Sequence, residues 1–166
     1  MLMDISQIFS LMLARNQSGI EASYVDLEHG ESILQLPGHS NCMNWVLGHI
    51  AVYRDALLGA IDKQTYMHNK EIGIYGYGSD PIIEGSACAD LTRLIEALNR
   101  GYSVLHEWLG EYPDYLDNVT PDGLIVRKGE TVGQHFAHLW VHESIHVGEL
   151  SALRELALVK LGKGWK

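Results

Sequence analysis

Cysteine is scarce in this sequence, and the two that occur, Cys42 and Cys88, lie far apart with no Cys-x-x-Cys pair. A disulfide scaffold is therefore excluded, and a reduced, cytoplasmic setting is expected. Cys42 reads as a small core-facing residue near a helix start rather than as a nucleophile. Positive charge is also sparse: 12 Lys and Arg stand against 21 Asp and Glu, a formal net charge of −9. The basic residues are scattered apart from Lys160, Lys163 and Lys166, so no surface is laid out to neutralise phosphates, and no nucleic-acid partner is expected. Long apolar runs are missing as well. The opening stretch MLMDISQIFSLMLARN has Asp4 where a signal peptide has positive charge, and Ser6, Gln7 and Ser10 interrupt it. Nothing reaches the ~18 apolar residues of a membrane span, so no membrane partner is expected.

At 166 residues the chain suits a single domain over 1–166. A domain of this size buries roughly 70% of its unfolded surface, so it needs no structural metal to fold. Sustained strand alternation is absent too, whereas helical periodicity appears four times. In about 3–24, Ile5, Ile8, Phe9 and Met12 recur at spacings of three and four. The turn-rich LPGHSN, with Ser40 or Asn41 as cap, leads into a helix over about 42–61. Its core face collects Trp45, Val52 and Ala56, with Tyr53 at the edge and His49 in the middle. A third helix is predicted over about 86–109. The fourth opens with Thr131 and Gln134 in capping-box spacing and continues to about Leu158, roughly 40 Å at 1.5 Å per residue. Between the second and third, residues 62–85 read as irregular, since GIYGYGSDP is rich in glycine. That connection is either a pocket wall or a plain linker. The glycines match neither a dinucleotide fingerprint nor a P-loop. After the third helix, PDG at 121–123 is a turn fit for a short hairpin. Four long helices without strands give an all-α fold.

Histidine is what the sequence has in excess. Four of its nine, His135, His138, His142 and His146, fall within one helical arc of about 80° on the apolar side of the fourth helix. One core imidazole is ordinarily a satisfied structural group. Several on one stripe each need a partner, and a single divalent cation serves them together. His142 and His146 are spaced i, i+4, about 6 Å apart at Cβ, which suits two ring nitrogens converging on a metal at about 2.0–2.1 Å.

As text, His142–His146 is the H-E-x-x-H of zinc proteases. The metzincin pattern requires Gly and His at positions 149 and 152, which hold Glu149 and Ala152. Glu155 points away from the stripe, and Glu149 lies about 10 Å along the axis from His142. A zincin protease is not expected. The third ligand must come from upstream, and His49 is the candidate, on the core face of a helix that can pack 8–10 Å away.

Asn44-Trp45-Val46-Leu47-Gly48-His49, together with His142-Glu143-Ser144-Ile145-His146-Val147-Gly148-Glu149, resembles the pattern of the DinB-like superfamily, a histidine in an NWxxGH stretch and a later H-x-x-x-H followed by x-G-Q. Glu149 departs from it, where Gln is common. The resemblance implies a four-helix bundle with a crossover connection, a three-histidine centre holding zinc or nickel, and a homodimer. It also implies a metal-dependent enzyme acting on a small-molecule substrate, a bacillithiol- or mycothiol-type S-transferase or a related hydrolase. A low-molecular-weight thiol would be its cosubstrate. The alternative is a non-catalytic metal- or ligand-binding helical bundle. Three neutral histidines leave coordination positions open, as a catalytic site requires. Glu143 is the candidate general base, with a solvated or interface glutamate as the plain alternative. His138, one turn before His142, reads as a partner to a ligand, or as a fourth ligand.

Overall fold

A computed structural model describes residues 3–35, 40–83, 85–120 and 129–162. Among the described residues it is all-helical, with one isolated antiparallel bridge between Val119 and Thr131. Four helices are long: α1 (Ile5–Tyr24), α3 (Met43–Ala60), α5 (Leu91–Glu111) and α6 (Val132–Lys160). Two are short, α2 (His29–Ser32) and α4 (Asn69–Tyr75), and a 3-10 turn spans Pro113–Asp117.

Helix starts follow local chemistry. Asp4 caps α1 and Thr131 caps α6, each in a reciprocal box with a glutamine three residues on, Gln7 and Gln134. The predicted Ser40 or Asn41 cap of α3 is replaced by Cys42, which makes no side-chain cap bond. The third helix starts later than predicted, because Asp90 is the residue whose side chain accepts from the first turn. The largest difference is α4, inside the stretch predicted to be irregular. His68 and Glu71 cap it reciprocally and Gly76 ends it, so the glycines limit its length without preventing it. The PDG turn lies outside the described residues, but the flanking segments do pair, Thr120 N–H donating to Glu130 and Val132 N–H to Asn118.

The four long helices close a ring: α1 packs on α5 and α6, and α3 packs on the same two. Contacts along their lengths fix the directions. Phe9 meets Phe136, Asn16 meets Trp140, and Gly19 meets Val147, so α1 and α6 run the same way. The early part of α3 and the early part of α5 share one apolar cluster with the late part of α6, and their later parts share a second with its start. Hence α3 and α5 run together, opposite to α6. Two parallel neighbours cannot be joined by a tight turn, and residues 61–90, with α4 among them, make that link.

The predicted stripe of α1 is rotated from the one observed. Ile5 and Ile8 face solvent, whereas Phe9, Leu13, Asn16, Gln17 and Ile20 are buried. Polar Asn16 and Gln17 belong inside because a charged pair waits there for them. Arg54 and Glu143 are both buried at the centre of the ring, joined by a 2.6 Å contact.

Candidate metal centre

α3 and α6 bring His49, His142 and His146 together. One nitrogen from each ring lies within 4.8 Å of the other two. His49 and His142 face each other, with Nε2 to Nε2 at 3.2 Å. Two of the three rings have their protons placed by neighbours. The Tyr75 carbonyl can only accept, so His49 Nδ1–H donates to it at 2.6 Å and Nε2 keeps its lone pair. Glu149 accepts from His146 Nδ1–H at 2.8 Å, which frees Nε2 of that ring in the same way. Glu149 thus puts a carboxylate behind a candidate ligand.

His142 is served least by the protein. Its Nδ1 is buried without a hydrogen-bond partner among the described residues, a condition that costs roughly 1–3 kcal/mol. Its ring stacks on Tyr53, centroids 3.8 Å apart and planes 15° off parallel. Burial first, and then the neighbouring His146, His49 and His138, push its pKa down from 6.5 to about 3. Burial also lowers that of His49, partly offset by the Tyr75 carbonyl. Neutral rings with directed lone pairs are what a divalent cation binds. The residues fit a metal.

Below about 6.5 the unfolded chain takes up protons that the folded His142 refuses, so stability is lost as pH falls. The melting temperature of chelator-treated protein is expected to decline between about pH 6.5 and pH 3, less steeply in His142→Phe. Equal slopes in the two proteins would place the acid lability elsewhere.

The residues around His49 explain the NWxxGH stretch. Trp45 stacks on His49 at 4.5 Å, and its indole N–H donates to Ser79 Oγ. Asn44 accepts from the Tyr75 hydroxyl at 2.8 Å and donates to the Ala89 carbonyl. Gly48 makes room for Tyr75: a Cβ there would lie 2.3 Å from the ring. Of the two readings of the 62–85 connection, this is the pocket wall, since it supplies Tyr75 and Ser79. Gly48→Ala should therefore cost about 1–3 kcal/mol of stability by overpacking. It should also weaken metal binding, because it pushes away the carbonyl that orients His49. Isothermal titration with Zn²⁺ alongside thermal melts checks both.

Tyr75, Tyr53 and Glu149 are the residues that sequence reasoning placed incompletely. Trp45, His49 and Tyr53 recur every four residues along one face of α3, and that spacing was the available signal. Nothing local announces Tyr75, whose contribution is a backbone oxygen.

Two expectations are corrected. Glu143 does not stand free beside the three histidines. It is buried, with Oε1 taking Arg54 Nε at 2.6 Å and Oε2 taking Nη2 at 3.1 Å and Asn16 Nδ2 at 3.5 Å. One residue on from His142 turns a side chain by about 100°, and there Glu143 meets Arg54 rather than joining the three-histidine group. A carboxylate so engaged is not poised to move protons. Nor do all four histidines of the stripe point inward. His135 is buried but bonded to Thr120 Oγ1 at 2.8 Å, and His138 is exposed, its ring 6.5 Å from that of His142 and outside the ligand group.

No family model matches the chain, and no characterised protein matches it. Among solved structures it is similar to a conserved protein from Enterococcus faecalis, with a TM-score of 0.68 and 14% identity over 95% of this chain and 99% of that one. At that identity the likeness speaks for the fold alone. Among the described residues no helix is long and apolar enough to cross a membrane.

Proposed function

We propose that this protein is a metal-dependent enzyme of DinB-like type, a four-helix bundle with a crossover connection, that binds zinc or nickel through His49, His142 and His146. The observation that carries the reading is the pair of oriented tautomers, His49 on the Tyr75 carbonyl and His146 on Glu149, which aim free lone pairs into one group. The long link between parallel α3 and α5 supports the crossover. Bound there, a divalent cation lowers the pKa of a coordinated water or thiol towards neutrality. The protein's own groups do the rest. Tyr75 and Glu149 hold the ligand rings in orientation, while Trp45 and Tyr53 cover the faces of His49 and His142. With three protein ligands, positions remain for a small molecule. The substrate class we assign is an electrophile attacked by a low-molecular-weight thiol of bacillithiol or mycothiol type.

One observation favours the second reading, a non-catalytic metal- or ligand-binding bundle: the carboxylate in the base position of H-E-x-x-H is locked to Arg54. Cobalt substitution separates the two. Adding bacillithiol, mycothiol or glutathione to the Co²⁺ protein should produce a sulfur-to-cobalt charge-transfer band in the near ultraviolet, lost in His142→Ala. No band with any thiol would favour the binding module.

The same reading carries a homodimer. Ile5, Ile8 and Leu11 on α1 and Val141 and Ile145 on α6 present apolar side chains to solvent. Two-fold pairing is the commonest closure of such a face. Light scattering at tens of micromolar should give twice the chain mass, and a monomer would count against the dimer.

A further inference from the structure

Arg54 is among the largest fully buried side chains, and its guanidinium reaches every other long helix. Nε and Nη2 grip Glu143 of α6, while Nη1 donates to Gln17 of α1 at 2.6 Å and to the Leu98 carbonyl of α5 at 2.9 Å. Such a pair is not explained by stability. Apolar residues of the same volume commonly serve a core as well or better, and the best-attested use of buried ionic groups is to set register.

The register at stake here is that of the histidines. Glu143 directly follows His142 on α6, and Arg54 stands about 7.5 Å along α3 from His49. The ion pair and the ligand group therefore lie side by side in one α3–α6 interface. Apolar packing tolerates small slides, but a two-pronged guanidinium–carboxylate contact fixes direction as well as distance. Metal ligands demand similar accuracy, within about 0.2 Å, whereas a slip of one residue moves a side chain about 1.5 Å and turns it about 100°.

We propose that the Arg54–Glu143 pair is a register lock for the three-histidine site, setting the height and rotation of α6 against α3 so that His142 and His146 meet His49. Neither residue touches the metal group; both are positioning residues acting through the backbone. The inference rests on the metal-binding reading above.

The test compares Co²⁺ affinity, by chelator competition, and the visible Co²⁺ spectrum in the parent protein and in Arg54→Met/Glu143→Leu. The double variant should fold, with helical circular dichroism and a cooperative melt in chelator. It should nevertheless bind Co²⁺ about ten- to hundredfold more weakly, the loss typical of removing a group that orients ligands. Its visible bands should shift as the coordination geometry loosens. A folded variant with parental affinity and an unchanged spectrum overturns the lock while leaving the metal site standing. A parent protein that binds no Co²⁺ overturns both. If the double variant does not fold, Arg54→Lys keeps the charge and removes the fork. It should weaken Co²⁺ binding at least several-fold, and parental affinity there overturns the lock equally.

Discussion

Purified protein is expected to carry about one divalent metal per chain, and replacing His49, His142 or His146 with Ala should remove most of the affinity while the helical circular dichroism remains. The loss should exceed the roughly 10–100-fold that outlying partners of a ligand contribute, because each histidine supplies one of the three lone pairs that the described residues bring together. His49→Ala is the most informative of the three. It removes the sole ligand from α3 and leaves the i, i+4 pair on α6, which many surface helices can imitate weakly. Elemental analysis after dialysis gives stoichiometry, and competition with a chromophoric chelator gives affinity. Full retention in His49→Ala would show that the α6 pair binds with some other partner. His138→Ala is the internal control: its ring is exposed and outside the group, so affinity should stay near parental.

The second large effect is on stability. Arg54→Met removes one charge from a pair in which both side chains are almost wholly shielded from solvent, and so strands the Glu143 carboxylate in the core. Breaking a buried pair from one side costs about 3–5 kcal/mol. For a chain of this size each kcal/mol shifts Tm by about 2–4 °C, so a fall on the order of 10 °C is expected in metal-free protein. Gln17 and Asn16 soften the loss only slightly, because they were recruited as partners of the same pair. Adding Glu143→Leu to Arg54→Met should recover most of the Tm, since no charge is then left unpaired. A single variant that melts within two degrees or so of the parent would show that water or another donor reaches the carboxylate.

Much of this is legible in the sequence. The number of long helices, the Thr131 cap and the grouping of His49 with His142 and His146 follow from periodicity and spacing, which report one helix face at a time. What stayed hidden depends on rotation between helices. The apolar residues of α1 suggest a stripe through Ile5 and Ile8, yet the buried face holds Asn16 and Gln17, because their partners lie on other helices. Glu143 misled in the same way. Its place in H-E-x-x-H fits a base beside a metal, and only the distant Arg54 shows that it faces the core. Tyr75 contributes a carbonyl, which no side-chain pattern can announce. The glycine of NWxxGH is visible as text, but its reason, the ring that fills its place, is not.

The facing nitrogens of His49 and His142 belong to residues 93 apart in sequence. A cation held by His49 and His142 would therefore also be a cross-link, closing a loop that spans α4, α5 and the first third of α6. Cross-links over loops of this length can disfavour the unfolded ensemble by about 4–5 kcal/mol in the chain-entropy picture. During synthesis the site cannot exist until α6 has emerged and docked, so metal capture reports the end of folding rather than its start. Metal should accordingly slow unfolding far more than it speeds folding.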